Sequence, residues 1–322
     1  MRSQQDNVGG LRHLTTLDGL ARDTLTAILD RAESYRRFPG QPAYEGRELA
    51  GVTVANLFFE PSTRTRASFD LASRRLGAHV LNLDVHSSSR AKGESMLDTI
   101  YTLEAMNTDV FVIRDSEVGM PEFLVDHVAP HVSVIGAGEA HLSHPTQGLL
   151  DALTIRTHKR RFAGLKVAIV GDIKHSRVAR STARALTTLG TTDLRIVAPE
   201  ALLPAEDEFR GALRFTRIED GIAGADVVMM LRIQKERMAQ TAALDDAAYF
   251  REFGLDARRL KLAAPSVLVM HPGPMNRGVE ISSEVADGAR SVIREQVNNG
   301  VAVRMAVLAA IAVTLTRHRR PL

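Results

Sequence analysis

The sequence predicts an α/β protein of two domains, each a parallel sheet flanked by helices. Three observations carry that prediction. The chain has 322 residues, which at roughly 100 to 200 residues per domain is room for two cores. It is 44% hydrophobic and 25% charged, the balance of a globular chain and not of a disordered or collagen-like one. Eight short runs rich in Val, Ile and Leu recur along it, most followed by a stretch of helical spacing, as βαβ units require.

Taken in order, the first-half strands are expected at 52–58, 80–83, 110–113 and 132–135. Those of the second half fall at 166–170, 194–197, 226–231 and 267–270. A helix opens at Ser62 to Arg66, continues through Phe69, Ala72 and Leu76 and stops at Gly77. Another spans Gln147 to about His158, with Leu149, Leu150, Leu153 and Thr154 at core-like spacing. The basic Lys159-Arg160-Arg161 that follows marks the domain crossing. The first domain is therefore expected over 1–150 and the second over 151–297, with the C-terminal helix of 298–322 returning to the first. Residues 1–10 read as a short disordered lead-in.

Composition excludes several classes of function. Lys and Arg number 41 against 38 Asp and Glu, a formal charge of +3, too little to imply nucleic-acid binding. The absence of cysteine removes disulfides, thiolate nucleophiles and cysteine-based zinc or iron–sulfur sites. The N-terminal residues lack the apolar core of a secretory signal. The stretch 301–316 is apolar but carries Arg304 and falls short of the ~20 residues of a membrane span, so a buried helix is expected there. A cytoplasmic protein is the expectation, bound neither to membrane nor to nucleic acid.

In open parallel sheets the ligand crevice lies beyond the carboxyl ends of the strands, and six turns there carry unusual chemistry. Ser62-Thr63-Arg64-Thr65-Arg66 places three hydroxyls and two guanidiniums on a helix N-terminus, where outward N–H groups and the helix dipole favour an anion such as phosphate. Arg114 follows the third strand. His144-Pro145-Thr146-Gln147 starts the crossing helix, with Thr146 placed to cap it and with an imidazole and a carboxamide suited to polarising a carbonyl and holding an amide. Arg177 stands at another helix start, suited to a carboxylate. Arg232 and Gln234, two residues apart and so on one side of an extended chain, suit a second acidic group. His271-Pro272-Gly273-Pro274 is a stiff loop with outward carbonyls able to accept from an amino group.

The loop Ser88 to Glu94 reads locally either as a solvated loop or as a further cationic clamp through Ser88 and Lys92. Gly171 ends a strand as a dinucleotide-binding turn would, but Asp172-Ile173-Lys174-His175-Ser176-Arg177 supplies none of the further glycines that a pyrophosphate needs. His271 has no second His or carboxylate at zincin spacing. Neither a metal nor a cofactor is expected.

Together these motifs resemble the aspartate carbamoyltransferases. The resemblance rests on Phe-Phe-Glu-Pro-Ser-Thr-Arg-Thr-Arg at 58–66, Ser-Ser-x-x-Lys-Gly-Glu at 88–94, His-Pro-Thr-Gln at 144–147, Arg-x-Gln-x-Glu-Arg at 232–237 and His-Pro-Gly-Pro at 271–274. They stand in the family order and span nearly the whole chain. The first and third are shared with ornithine carbamoyltransferases; the last two separate the branches. The resemblance implies transfer of the carbamoyl group of carbamoyl phosphate to L-aspartate, an early step of pyrimidine synthesis. It places Ser62, Thr63, Arg64, Thr65 and Arg114 around the phosphate, and Thr65, Arg114 and His144 at the carbonyl oxygen. Gln147 and the Pro274 carbonyl, beside Gly273, would hold the carbamoyl amide, while Arg177, Arg232 and Gln234 would grip aspartate. Lys92 would bridge toward both substrates. It further implies a homotrimer in which Ser88 and Lys92 reach a neighbour's site. Association with a regulatory chain or with dihydroorotase stays open beside a free trimer. Asp115, next to Arg114, is expected to face solvent.

Overall fold

The computed structural model describes residues 4–83, 95–234 and 245–318. Among them the chain divides into two compact units, 1–146 with 298–322, and 147–297. The division thus falls between Thr146 and Gln147 and not at 150/151.

In the first unit β1 (Thr53–Phe58), β2 (His79–Leu83), β3 (Val110–Asp115) and β4 (Ser133–Glu139) form a parallel sheet in the order β2-β1-β3-β4. Every residue of β3 and β4 is buried, the pattern of a sheet covered on both faces. The edge strand β2 is largely exposed. The helices here are α1 (Arg22–Tyr35), α2 (Thr63–Arg75), α3 (Met96–Ala105) and α4 (Met120–His127). Ile100, Leu103 and Leu124 of α3 and α4 join Ala55, Leu57, Phe111, Ile113 and Val134 in one buried cluster.

The expected N-terminal disorder is not what residues 4–10 show. The Gln4 Oε1 accepts from the Thr15 and Thr16 N–H groups at 2.7 and 3.1 Å, and Asp6 accepts from the Gly10 N–H and from Arg317. A polar segment has here found partners distant in sequence, which composition does not reveal.

In the second unit the strands are β5 (Lys166–Val170), β6 (Asp193–Val197), β7 (Leu213–Phe215), β8 (Val227–Met230) and β9 (Leu268–Met270), in the parallel order β7-β6-β5-β8-β9. β7 was not expected; three residues with Arg214 at the centre give no apolar run, and it survives as an edge. The helices are α5 (Pro145–Lys159), α6 (Arg177–Leu189), α7 (Ile218–Ile222), α8 (Asp246–Phe253), α9 (Ala257–Leu260) and α10 (Ser283–Ala286). Thr146 is the second residue of α5, inside the helix and not ahead of it as a cap would be.

The last helix, α11 (Ile293–His318), has 26 residues, beginning five residues before the expected 298. It is long and apolar enough to cross a membrane, so the length argument against a span fails. What argues for a core helix is burial: Val303, Met305, Ala306, Val307, Leu308 and Ile311 are all fully buried.

Candidate active site

Each sheet gathers its candidate residues at the carboxyl ends of three adjacent strands. In the first unit these are β1, β3 and β4. Phe58 pairs in register with Arg114, so the chain entering α2 leaves the sheet beside that guanidinium. Ser62 occupies the N-cap position of α2, yet its hydroxyl makes no capping bond. Thr65 is buried, Ser62 half-buried, and Thr63, Arg64 and Arg66 are exposed. Three hydroxyls and two cations thus stand at the positive end of a helix.

Arg114 is buried and held from two sides: one nitrogen donates to the Ala137 carbonyl at 3.2 Å, another to Glu60 Oε1 at 2.8 Å. Glu60 was not anticipated as its partner, although it stands in the same Glu-Pro-Ser-Thr-Arg run. Asp115 is buried and accepts from the Glu117 N–H at 3.0 Å, against the expectation of a solvent-facing side chain. It closes the turn after β3. His144 is buried at the start of α5, behind a bridge in which Glu139 and Ser143 exchange backbone hydrogen bonds. The Ser143 hydroxyl donates to the Thr15 carbonyl at 2.9 Å, so the turn that delivers His144 is anchored on both flanks.

In the second unit the adjacent strand ends are those of β5, β8 and β9. Gly171, just past β5, has φ +133°, and a Cβ there would lie 2.5 Å from the Leu231 carbonyl oxygen. Only glycine lets the ends of β5 and β8 approach so closely. Beyond β8 the chain stays extended: Leu231 and Ile233 are buried, Arg232 and Gln234 partly exposed, the alternation expected for two side chains sharing one side.

That extended segment is tied to the β5–α6 turn through Asp172, which is fully buried. One Asp172 oxygen accepts the Gln234 N–H at 3.2 Å. The other accepts the His175 N–H at 3.2 Å and lies 2.8 Å from His175 Nδ1. The Gln234 side chain then donates to the His175 carbonyl at 2.9 Å. Ser176 caps α6 by accepting the Ala179 N–H, which sets Arg177 at the first turn. The turn that leads into Arg177 and the Arg232–Gln234 segment are thereby joined through one carboxylate.

After β9, His271 accepts the Gly273 N–H at Nδ1 over 2.8 Å and meets Glu280 Oε1 through Nε2 at 3.0 Å. With Nδ1 accepting, Nε2 carries the proton and donates to Glu280. Glu280 also accepts the Asn276 N–H at 2.6 Å, so the loop bearing Gly273 and Pro274, which contains a cis Gly273–Pro274 bond, is folded around a buried His–Glu pair. Ser88 and Lys92, with the Lys235 to Arg237 part of the Arg-x-Gln-x-Glu-Arg motif, lie outside the described residues.

Both halves of the chain match models of one family. Residues 12–157 match the carbamoyl-P binding domain of aspartate/ornithine carbamoyltransferase and residues 163–311 its Asp/Orn binding domain. The chain belongs to the aspartate/ornithine carbamoyltransferase family. It is a carbamoyltransferase.

Among solved structures, this carbamoyltransferase is similar to aspartate transcarbamoylase from Trypanosoma cruzi in complex with carbamoyl aspartate and phosphate. Identity is 30%, over 93% of this chain and 95% of that one, with a TM-score of 0.84. The same trypanosomal enzyme in complex with N-(phosphonacetyl)-L-aspartic acid matches at 31% identity over the same shares, also with a TM-score of 0.84. Ornithine carbamoyltransferase from Thermus thermophilus is similar at 27% identity, over 93% of this chain and 98% of that one, with a TM-score of 0.81. Solved structures of both branches thus share the fold of this carbamoyltransferase.

Sequence reasoning named the residues at the strand ends and missed those behind them. Glu60, Asp151, Asp172, Glu280 and Gln296 each hold a candidate residue or its loop. For Asp151 a signal existed, since it stands four residues after Gln147 on the same helix. For Gln296 there was none.

Proposed function

We propose that this carbamoyltransferase uses L-aspartate as acceptor, giving N-carbamoyl-L-aspartate and phosphate from carbamoyl phosphate, as in de novo pyrimidine (UMP) biosynthesis in the cytoplasm. The observation that carries the choice of acceptor is the tie that Asp172 makes between the Gln234 N–H and His175, which links the segment bearing Arg232 and Gln234 to the turn that leads into Arg177. Two guanidiniums and a carboxamide on neighbouring strand ends suit a dicarboxylate, because each carboxylate is best met by a planar fork of donors. An ornithine side chain would instead call for an acidic partner. The likeness to the trypanosomal enzyme, whose structures include one with carbamoyl phosphate and aspartate at 30% identity, supports the same reading.

The chemistry needs no covalent enzyme intermediate. The amine of aspartate attacks the carbamoyl carbon, and the carbonyl oxygen gains negative charge that Thr65, Arg114 and His144 stabilise. The carbon–oxygen bond to phosphate then breaks. Ser62, Thr63, Arg64 and Arg114 hold the departing phosphate, which takes the proton released by the amine. Gln147 and the Pro274 carbonyl orient the carbamoyl amide. Catalysis is orientation plus fixed donors aimed at developing charge. On the family resemblance, Ser88 and Lys92 serve the site of a neighbouring subunit and the active unit is a homotrimer.

The test is product formation from carbamoyl phosphate by purified, metal-free protein, with L-aspartate and L-ornithine compared side by side. Carbamoyl aspartate alone is the expected product. Turnover of ornithine without aspartate would keep the phosphate-binding half of the reading and overturn the dicarboxylate clamp.

A further inference from the structure

A buried polar cluster in the second unit bears on how the carbamoyl group is told from its isosteres. Gln147 and Asp151 stand four residues apart on α5, and Gln147 Nε2 donates to Asp151 Oδ1 at 3.0 Å. The same oxygen accepts from Gln296 Nε2 at 2.9 Å, and Oδ2 accepts from the Thr182 hydroxyl at 2.6 Å. Asp151 is fully buried, and Thr182 and Gln296 nearly so. Gln296 in turn accepts the His271 N–H at 2.9 Å, which ties the start of the loop carrying Gly273 and Pro274 into the cluster.

A carboxylate only accepts hydrogen bonds, whereas a carboxamide has one donating and one accepting end. Asp151 therefore decides which way the Gln147 amide faces. Its NH2 end is claimed by Asp151, and a flip would set the Gln147 oxygen against a carboxylate oxygen in a site closed to water, which is strongly disfavoured. The accepting end, Oε1, is left on the side away from Asp151.

We propose that Asp151 is a positioning residue that sets donor specificity: by fixing the Gln147 carbonyl oxygen outward, it makes the site select the NH2 of a carbamoyl donor over a methyl group in the same place. This rests on the assignment of Gln147 to the carbamoyl amide made above. An amino group and a methyl group differ little in size, so shape cannot separate them, but a built acceptor can.

The experiment compares the KM of carbamoyl phosphate with the KI of acetyl phosphate as its competitor. In the wild-type protein acetyl phosphate should bind about tenfold more weakly, or worse, the usual consequence of one unmet hydrogen bond. Asp151→Leu removes both acceptor oxygens at similar shape. Asp151→Ala is the second variant should that one not fold, since its cavity admits a water that donates as readily as it accepts. In either, the two constants should converge to within about threefold through a rise in the carbamoyl phosphate KM. Asp151→Asn should retain the discrimination, because its single oxygen still serves both glutamines while its NH2 faces the Thr182 hydroxyl. The ratio is independent of the amount of folded enzyme. An unchanged ratio in the Leu and Ala variants, with activity or stability merely lowered, would reduce Asp151 to a structural residue. A wild-type enzyme that turns over carbamoyl phosphate without discriminating against acetyl phosphate would also overturn the proposal. A wild-type protein that forms no carbamoyl product fails at the earlier step, and that outcome removes the function reading together with this one.

Discussion

Replacing Asp172 by Asn isolates the link between the two guanidinium-bearing segments. In the native arrangement one oxygen faces two donors from His175 and the other faces the Gln234 N–H. Asparagine has one oxygen and one NH2, so either orientation sets a donor against a backbone N–H that cannot accept. The less costly choice keeps the oxygen on His175 and turns the NH2 toward Gln234. The segment bearing Arg232 and Gln234 then loses its anchor to the β5–α6 turn. A buried hydrogen bond replaced by two opposed donors is worth about 1 to 3 kcal/mol, and 1.4 kcal/mol is about tenfold in affinity. The KM for L-aspartate should therefore rise roughly ten- to a hundredfold, while the KM for carbamoyl phosphate, whose proposed anion donors lie in the other unit, should move by less than about threefold. Initial rates over a grid of both substrates measure this, with thermal melts confirming that the variant is folded. A variant that melts lower yet keeps its aspartate KM would refute the reasoning, because Asp172 would then stabilise the unit without positioning the clamp.

Other expectations concern strain, pH and assembly. Gly171→Ala should cost roughly 3 kcal/mol or more of stability, since its Cβ would fall 2.5 Å from the Leu231 oxygen at φ +133°; a melting temperature equal to wild type would show that β5 and β8 part easily. Burial holds the Glu139 carboxyl above its usual range, opposed by the Gly119 N–H, so the folded chain binds that proton more tightly than the unfolded one. Stability from this group is full below the ordinary glutamate range and falls as pH rises through it to the higher folded value. Glu139→Gln keeps an oxygen for Gly119 and should melt higher than wild type at neutral pH but not near pH ~4, and coincident melts at both pH values would contradict this. Arg64→Ala and Lys92→Ala chains, each nearly inactive alone, should regain activity when reassembled together, because some shared sites would then contain both intact residues; verified mixed trimers without recovery would count against sharing.

Strands were legible where they carry an apolar run, as in 110–113 of the fully buried β3 and in β8. Burial alone does not write one, since β4 is buried throughout yet its Gly136, Gly138 and Glu139 extend it past the expected 132–135. β7 writes nothing comparable, being a three-residue edge whose central Arg214 donates to the Pro204 and Ala205 carbonyls. The folded N-terminal segment and the true start of α11 were illegible for the converse reason. Gln4 and Asp6 are satisfied by Thr15 and Arg317, and Glu295 and Gln296 by His158 and Asp151, which no local pattern announces.

The same division runs through the candidate site. Arg177, Arg232 and Gln234 could be named because the residues beyond a parallel strand's carboxyl end face the crevice, and charge directly after a buried run is conspicuous. The groups that orient them could not, because a buried carboxylate is defined by what converges on it. Asp151 receives donors from Gln147, from Thr182 and, 145 positions further along, from Gln296; only the first is near enough to be seen as a helical neighbour. Sequence spacing thus reveals the groups that would meet the substrate, while their orientation is set by partners brought together only by folding. For an acceptor-only carboxylate facing two glutamines, orientation is also the chemical content, since it decides whether Gln147 offers its oxygen or its NH2.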